Sequence, residues 1–375
     1  MTPAESLQRL SGSEASAAAW SERLAQGALR TRVLLLLAGT ETAAVPGISA
    51  AGATPESRRF TAAADADYLL RGPCSQPVHP LPELPAGVSP ALIARAALEG
   101  LGLEPWVVDL GVPVAPSVPH LSLGQCPARC LSTGQALAPQ RVQQLWQLGA
   151  RWGERLARKR DPILLAECVP GGTTTALAVL EGLGIEAEGL VSGSQRQPDH
   201  QLKQRLVRQG LTAAGVECPA DPATVLAAVG DPMQALAAGL VQAAAQAGTP
   251  LLLAGGSQMA AVLALALAAT PPEQRQALVD QAAVVTTAWL AAEASSDLSG
   301  LLHRLAARWG GEPLGFATSL RFSDSSCAEL LAYEQGFVKE GVGAGGLAAL
   351  WQLSGRSTRD LRRVCEQACL ALRQT

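Results

Sequence analysis

Short, uninterrupted apolar runs alternate with longer stretches of helical periodicity along most of this chain. Runs at 32–38, 106–110, 163–166, 251–254 and 283–287, with a weaker one at 314–318, are built from Leu, Val, Ile and Ala without polar alternation. Strands that are apolar on both faces belong inside a sheet, so the pattern predicts strands at these places. Helical spacing fills the gaps at 90–101, 140–158, 173–183, 202–214, 233–246 and 257–268. Alternation of buried strands with helices implies a parallel sheet covered by helices on both faces. Ligands on such sheets collect beyond the carboxyl ends of the strands, and Glu167, Gly255-Gly256 and Thr286-Thr287 fall there.

Composition narrows the class. A chain of 375 residues can bury a large core and carry one small accessory unit. Its net charge is −3, its pI is near 5.9, and no basic block is interleaved with aromatics, so nucleic acid is not expected as a partner. The longest apolar run, 259–269, is too short to span a bilayer, which argues against a membrane role. The first thirty residues have no basic start followed by an apolar stretch, so a cytoplasmic location is expected.

The 8 cysteines include no C-x-x-C pair, and His79, His120, His200 and His303 are scattered, so no metal site is expected. Cys365 and Cys369 can share a helix face; Cys168 is expected to serve packing. Two segments rich in Pro, 70–90 and 112–127, are too long for tight connections and are expected to cover a pocket.

Two stretches carry candidate chemistry. In the first, 333–346, Glu340 sits in a glycine-dense turn (Gly336, Gly341, Gly343, Gly345, Gly346) that leads into an apolar run. Glycines let the backbone reach positive φ and let a ligand approach, although a solvated glutamate at an ordinary helix start fits this stretch equally well. In the second, 162–180, an apolar strand ends at Glu167, turns through Pro170-Gly171-Gly172 and enters a helix through Thr173 and Thr174. Such a helix start suits one phosphate. No lysine follows these glycines, so a cation must come from elsewhere. Lys203, in a second loop that enters a helix behind the prospective cap Asp199, is the candidate; alternatively Lys203, Arg205 and Arg208 form only a solvated helix face.

Taken in order, Glu167 to Thr174, Val191 to Lys203, Gly255 to Ala261 and Lys339 to Ala344 resemble the nicotinate-nucleotide:dimethylbenzimidazole phosphoribosyltransferase family. The resemblance is greatest to a divergent branch, for which it runs from about residue 35 to 350 and takes in Gly39-Thr40-Glu41-Thr42, Pro46 to Gly52 and Leu131 to Ala136. It implies transfer of a phosphoribosyl group from nicotinate mononucleotide to a benzimidazole or purine base, without cofactor or metal. By resemblance Glu340 is the general base and Glu167 its catalytic partner. Gly171, Gly172, Thr173, Thr174, Lys203, Gly341 and Gly343 would hold the mononucleotide, and Ser89, Gln258, Thr286 and Thr287 would border the base.

The implied fold is α/β, a Rossmann-like and mostly parallel sheet with helices on both faces. Residues 31–340 would form the catalytic domain, while 1–30 with 341–375 would form a smaller helical domain, and the protein would be a homodimer across which the N-terminal helix reaches. The chain departs from better-known members at Gly172 (usually Asn), Gln258 (usually Glu) and Thr286-Thr287 (usually Asp-Gly). Two other classes stay open: a mononucleotide-binding sensor or assembly module without catalysis, and a hydrolase of nucleosidase or phosphatase type.

Overall fold

The computed structural model describes residues 7–124 and 126–374. Its centre is an eight-stranded sheet with strands β1 (Gln8–Ser11), β2 (Arg32–Leu37), β3 (Trp106–Asp109), β4 (Leu121–Ser122), β5 (Ile163–Cys168), β6 (Leu251–Ala254), β7 (Ala282–Thr286) and β8 (Leu314–Ala317). Their spatial order is β1-β8-β7-β6-β5-β2-β3-β4. All neighbours are parallel except β1, which runs antiparallel to β8 with a register break between Arg9 and Ser11. The α/β, mostly parallel architecture is therefore the one the apolar runs predict.

Alternate strand residues feed two apolar layers, as the period of two requires. Leu34, Leu36, Ile163, Leu165, Leu251, Leu253 and Val284 pack under the helices Pro139–Ala157, Gly172–Gly182, His200–Ala214, Pro222–Val229, Pro232–Gln246, Ser257–Ala268 and Leu298–Trp309. On the opposite face Val33, Leu35, Leu37, Leu164, Ala166 and Cys168 meet the helices Glu14–Gly27, Thr61–Arg71, Ala91–Leu101, Ala344–Leu353 and Thr358–Arg373. Glu14–Gly27 lies against Ala344–Leu353, and Thr358–Arg373 lies against Ala91–Leu101 and Ala344–Leu353. These two layers decide which side of the strand ends each functional group approaches.

Two strands escape the apolar pattern. β1 reads Gln-Arg-Leu-Ser, three of its four residues polar, as an edge strand allows; β4 is two residues inside the second proline-rich segment. The helices Thr61–Arg71, Pro222–Val229 and Leu298–Trp309 are likewise additions to the periodic stretches. Asp199 caps His200–Ala214, its carboxylate accepting from the Leu202 N–H at 2.8 Å, as expected of that loop. Among the described residues no helix is long and apolar enough to cross a membrane.

Candidate active site

A cavity of about 530 Å³ opens at the carboxyl ends of β5 and β6. Its wall contains Glu167, Gly171, Gly172, Thr173, Gln258, Glu340 and Gly341, so most of the residues singled out in the sequence meet at one place. Further wall comes from the loops around Ser49 and Ser192 to Arg196, and from Pro82, Leu84, Pro85, Ala86 and Ser89 of the first proline-rich segment. The second such segment has none of its described residues in this wall. It runs instead along the edge where β4 forms, and its Ser117 is held by Asp67.

One end of the cavity is a cationic cradle. Gly171, at φ 81°, turns the chain from β5 into Gly172–Gly182 in a conformation that a side chain would strain. The N–H groups of Gly172 and Thr174 close back onto the carbonyls of Val169 and Gly171, so what this turn offers a ligand is chiefly the Thr173 hydroxyl and the cation behind it. That cation is Lys203. It is only 1% exposed, donates to Thr173 Oγ1 at 3.0 Å and to the Ser192 carbonyl at 2.6 Å, and has no ion-pair partner among the described residues. Burial lowers it to about 8, with nearby Lys339 adding to the fall and Glu293 opposing it. A buried ammonium without a counter-charge is costly, and a bound anion relieves that cost. Lys203 is thus buried directly behind this wall, bonded to its Thr173, rather than on a solvated helix face. Thr174 lies deeper, fully buried and off the cavity wall.

Glu167, the penultimate residue of β5, follows the parity of Ile163 and Leu165 toward the layer that carries this cradle. Its Oε2 accepts from the Val169 N–H at 3.0 Å. Burial pushes it up to about 8, helped by Asp231 and Glu340 and opposed by the Val169 N–H and the Gln258 amide. Asp231, which caps Pro232–Gln246 and accepts from Thr175 Oγ1 at 2.6 Å, is itself pushed up to about 6 by burial.

Glu340 is held differently. Its Oε2 accepts from Thr286 Oγ1 at 2.9 Å and the Thr287 N–H at 2.8 Å; its Oε1 accepts from the N–H groups of Gly341 and Gly345, each at 3.1 Å. Burial raises its affinity for a proton, and these four donors pull it back. Gly345 is required here, because a Cβ would overlap the Thr286 backbone and the Glu340 carboxylate. Gly343 allows the same loop to pass Ala166, and the Val342 N–H donates to the Glu167 carbonyl at 3.0 Å, tying the two motifs together.

The loop that presents Glu340 is strained beyond its glycines. Val338, Lys339 and Val342 have φ of 66°, 55° and 54°, a conformation unfavourable for β-branched residues and costing about 1–3 kcal/mol each. Lys339 anchors it. The side chain is 2% exposed, with Nζ 2.5 Å from Glu293 Oε1 and 2.9 Å from the Gln195 carbonyl, and Glu293 also accepts from Ser192, Ser295 and Ser296.

The four residues expected near the base divide into two pairs. Ser89 and Gln258 line the cavity, whereas Thr286 and Thr287 stand behind Glu340 as its hydrogen-bond donors. Two departures from the better-known pattern prove to be neighbours, since a Cβ on Gly172 would overlap the Gln258 amide. Sequence reading did not select Asp65, Glu293, Asp231 or Lys339. Asp65 lies in an alanine-rich helix whose Asp65 and Asp67 are both buried, and two acids in so apolar a stretch were the available signal.

With this geometry described, comparison with known proteins settles the lineage. The model of the family described as "Phosphoribosyltransferase" matches residues 91–288. The chain belongs to that family. A UPF0284 protein of Prochlorococcus marinus (strain MIT 9313) is 51% identical over 369 residues, covering 95% of this chain and 91% of the relative. The UPF0284 protein SYNW1869 of Parasynechococcus marenigrum (strain WH8102) is 52% identical, covering 92% and 88%. Among solved structures, CobT from Thermus thermophilus matches with TM-score 0.58 over 97% of this chain and 93% of that one, at 18% identity. A structure of nicotinate-nucleotide-dimethylbenzimidazole phosphoribosyltransferase from the same organism matches at 0.58 and 19% over the same shares. This phosphoribosyltransferase-family chain thus shares their fold.

Proposed function

We propose that this protein transfers the 5-phosphoribosyl group of nicotinate mononucleotide to a benzimidazole or purine base, producing an α-ribazole-type phosphate for the lower loop of a cobamide. The observation that carries the reading is that one cavity joins a cradle backed by a buried lysine, without an ion pair among the described residues, to two carboxylates, one buried and one half-buried, approached from opposite layers. Lys203 and Thr173 stand at the nucleotide end. Glu167 turns toward the same layer, while Glu340 is fixed at the start of Ala344–Leu353 in the other.

These positions fit the electron flow of the reaction. The glycosidic bond breaks with its electron pair passing to the cationic pyridinium nitrogen, so nicotinate leaves with a neutral ring and its carboxylate unchanged, without needing a proton. An azole nitrogen forms the new bond on the opposite face of the anomeric carbon, inverting it from β to α, and the proton of the other ring nitrogen passes to Glu340. Glu167, held protonated near neutral pH, donates to the ribose. A monophosphate and a cationic leaving group give a metal ion nothing to neutralise, so chelators should leave the rate unchanged.

A cytoplasmic homodimer belongs to the same proposal, and sedimentation checks the dimer. The deciding assay follows nicotinate release. Release that requires an added azole supports transfer; release into water without one indicates a hydrolase, and binding without release indicates a sensor or assembly module.

A further inference from the structure

We propose that Asp65 selects the acceptor by accepting a hydrogen bond from an amino group on it, so that the preferred base is an amino-substituted purine rather than a dialkylated benzimidazole. This rests on the transfer reading above. Asp65 is 3% exposed and lines the cavity beside Ser89, Pro90 and Cys168. It belongs to Thr61–Arg71, which covers the Cys168 face of β5, the layer that also carries Ala344–Leu353 and with it Glu340. The phosphate cradle approaches from the other layer. A flat base lying across the strand ends therefore meets Glu340 and Asp65 on its own side of the site.

The carboxylate is incompletely satisfied. Ser89 Oγ donates to its Oδ1 at 2.6 Å and the Cys168 thiol to its Oδ2 at 3.3 Å; the Ala91 N–H, which donates to Ser89 Oγ at 3.1 Å, leaves the serine proton free for Asp65. Burial also pushes the Cys168 thiol up, which keeps it a donor. Neither partner is a cation, and Asp65 has no ion pair among the described residues. An ionised carboxyl has about four acceptor sites, so two stay open. Burial raises Asp65 only to about 6, which leaves it charged at neutral pH.

In the cavity wall Pro82, Leu84, Pro85 and Ala86 supply apolar contact and no side-chain donor, while Arg58 and Thr61 direct their donors to the carbonyls of Gly52, Ala43 and Ala51. The remaining donor has to come with the ligand. An amino group satisfies it, whereas methyl groups in that position exclude water and leave a buried charge without compensation.

The test measures kcat/KM for adenine, unsubstituted purine and 5,6-dimethylbenzimidazole with saturating nicotinate mononucleotide. In the unaltered enzyme adenine should exceed purine by about 10- to 100-fold, the loss expected for one hydrogen bond to a charged group. Asp65→Leu should bring adenine down to the level of purine and leave dimethylbenzimidazole equal or better, with KM for the mononucleotide unchanged. Asp65→Asn, which keeps the shape, should move adenine in the same direction. The ratio in the unaltered enzyme decides the matter even where a variant does not fold. Equal rates with adenine and purine, or an equal fall for all three bases in Asp65→Asn, overturn the role of Asp65 while transfer stands. No nicotinate release with any base overturns the transfer reading itself.

Discussion

Glu167 and Glu340 are two carboxylates on one cavity wall, the first buried and the second half-buried, yet their surroundings differ. Glu340 accepts four hydrogen bonds, three from backbone N–H groups, whereas the Glu167 carboxylate has the Val169 N–H and the Gln258 amide. Backbone donors at a helix start cannot swing away, so they fix the position of Glu340 and favour its charged form against burial. Glu167, beside Asp231 and with fewer donors, keeps its proton up to about 8. The contrast teaches that proximity of two acids is not a dyad of equals: the number of fixed donors separates them, and in the proposed transfer it sorts the base from the hydrogen-bond donor.

The largest expected effect comes from removing the base. Glu340→Gln should reduce transfer to benzimidazoles or purines by roughly 10²- to 10⁴-fold while mononucleotide affinity survives, as single-turnover rates and equilibrium binding would show. If Glu167→Gln instead gave the greater loss, the assignment of the two acids would be reversed.

The contrast between the ends of the cavity can be sharpened with Lys203→Ala. Loss of one charged hydrogen bond, about 1.5–3 kcal/mol, should weaken nicotinate mononucleotide by roughly 10- to 100-fold and nicotinate riboside hardly at all. Calorimetry with both ligands measures this, and equal losses would break the cradle assignment.

A smaller effect is expected at Thr286→Val, which deletes one of the four donors to Glu340. Transfer should fall by about 3- to 10-fold, with an upward move in the acid limb of the pH–rate profile as Glu340 becomes easier to protonate.

The pH dependence of stability separates the acids without any substrate. Because the folded-state pKa of Glu167 is raised, its contribution is fully present below the ordinary carboxylate value near 4.5 and is lost as pH rises through about 8. Melting temperatures of the unaltered protein should therefore decline relative to Glu167→Gln across that window. Parallel curves would show that Glu167 ionises normally.

Much of this was readable in the chain. Buried parallel strands lack alternation, so β2, β5 and β6 stand out as Leu-rich runs, and the glycine turns flank the two acids at positions where strands end. The position of Lys203 against Thr173 was locatable because a glycine turn at a helix start without its own lysine calls for a cation from elsewhere. What stayed hidden depends on pairing across long sequence distances. The polar edge strand β1 acquires its partner only when β8 arrives, some 300 residues later. Thr286 and Thr287 resemble pocket residues in sequence because they end a strand, but their partner is Glu340, 53 or 54 positions away. Asp65 was inconspicuous since its meaning comes from Ser89 and Cys168, brought to it by two other elements. The strain at Val338 and Val342 also has no local signal, for valine ordinarily argues against positive φ.

The central claim is that Glu340 removes a ring proton from the acceptor, and one comparison tests it most directly. Transfer to benzimidazole and to N-methylimidazole, which has no ring proton to lose, should be measured in the unaltered enzyme and in Glu340→Gln. The account predicts a loss of roughly 10²-fold or more with benzimidazole and little change with N-methylimidazole. Equal losses with both acceptors, or an unchanged rate with benzimidazole, would contradict it.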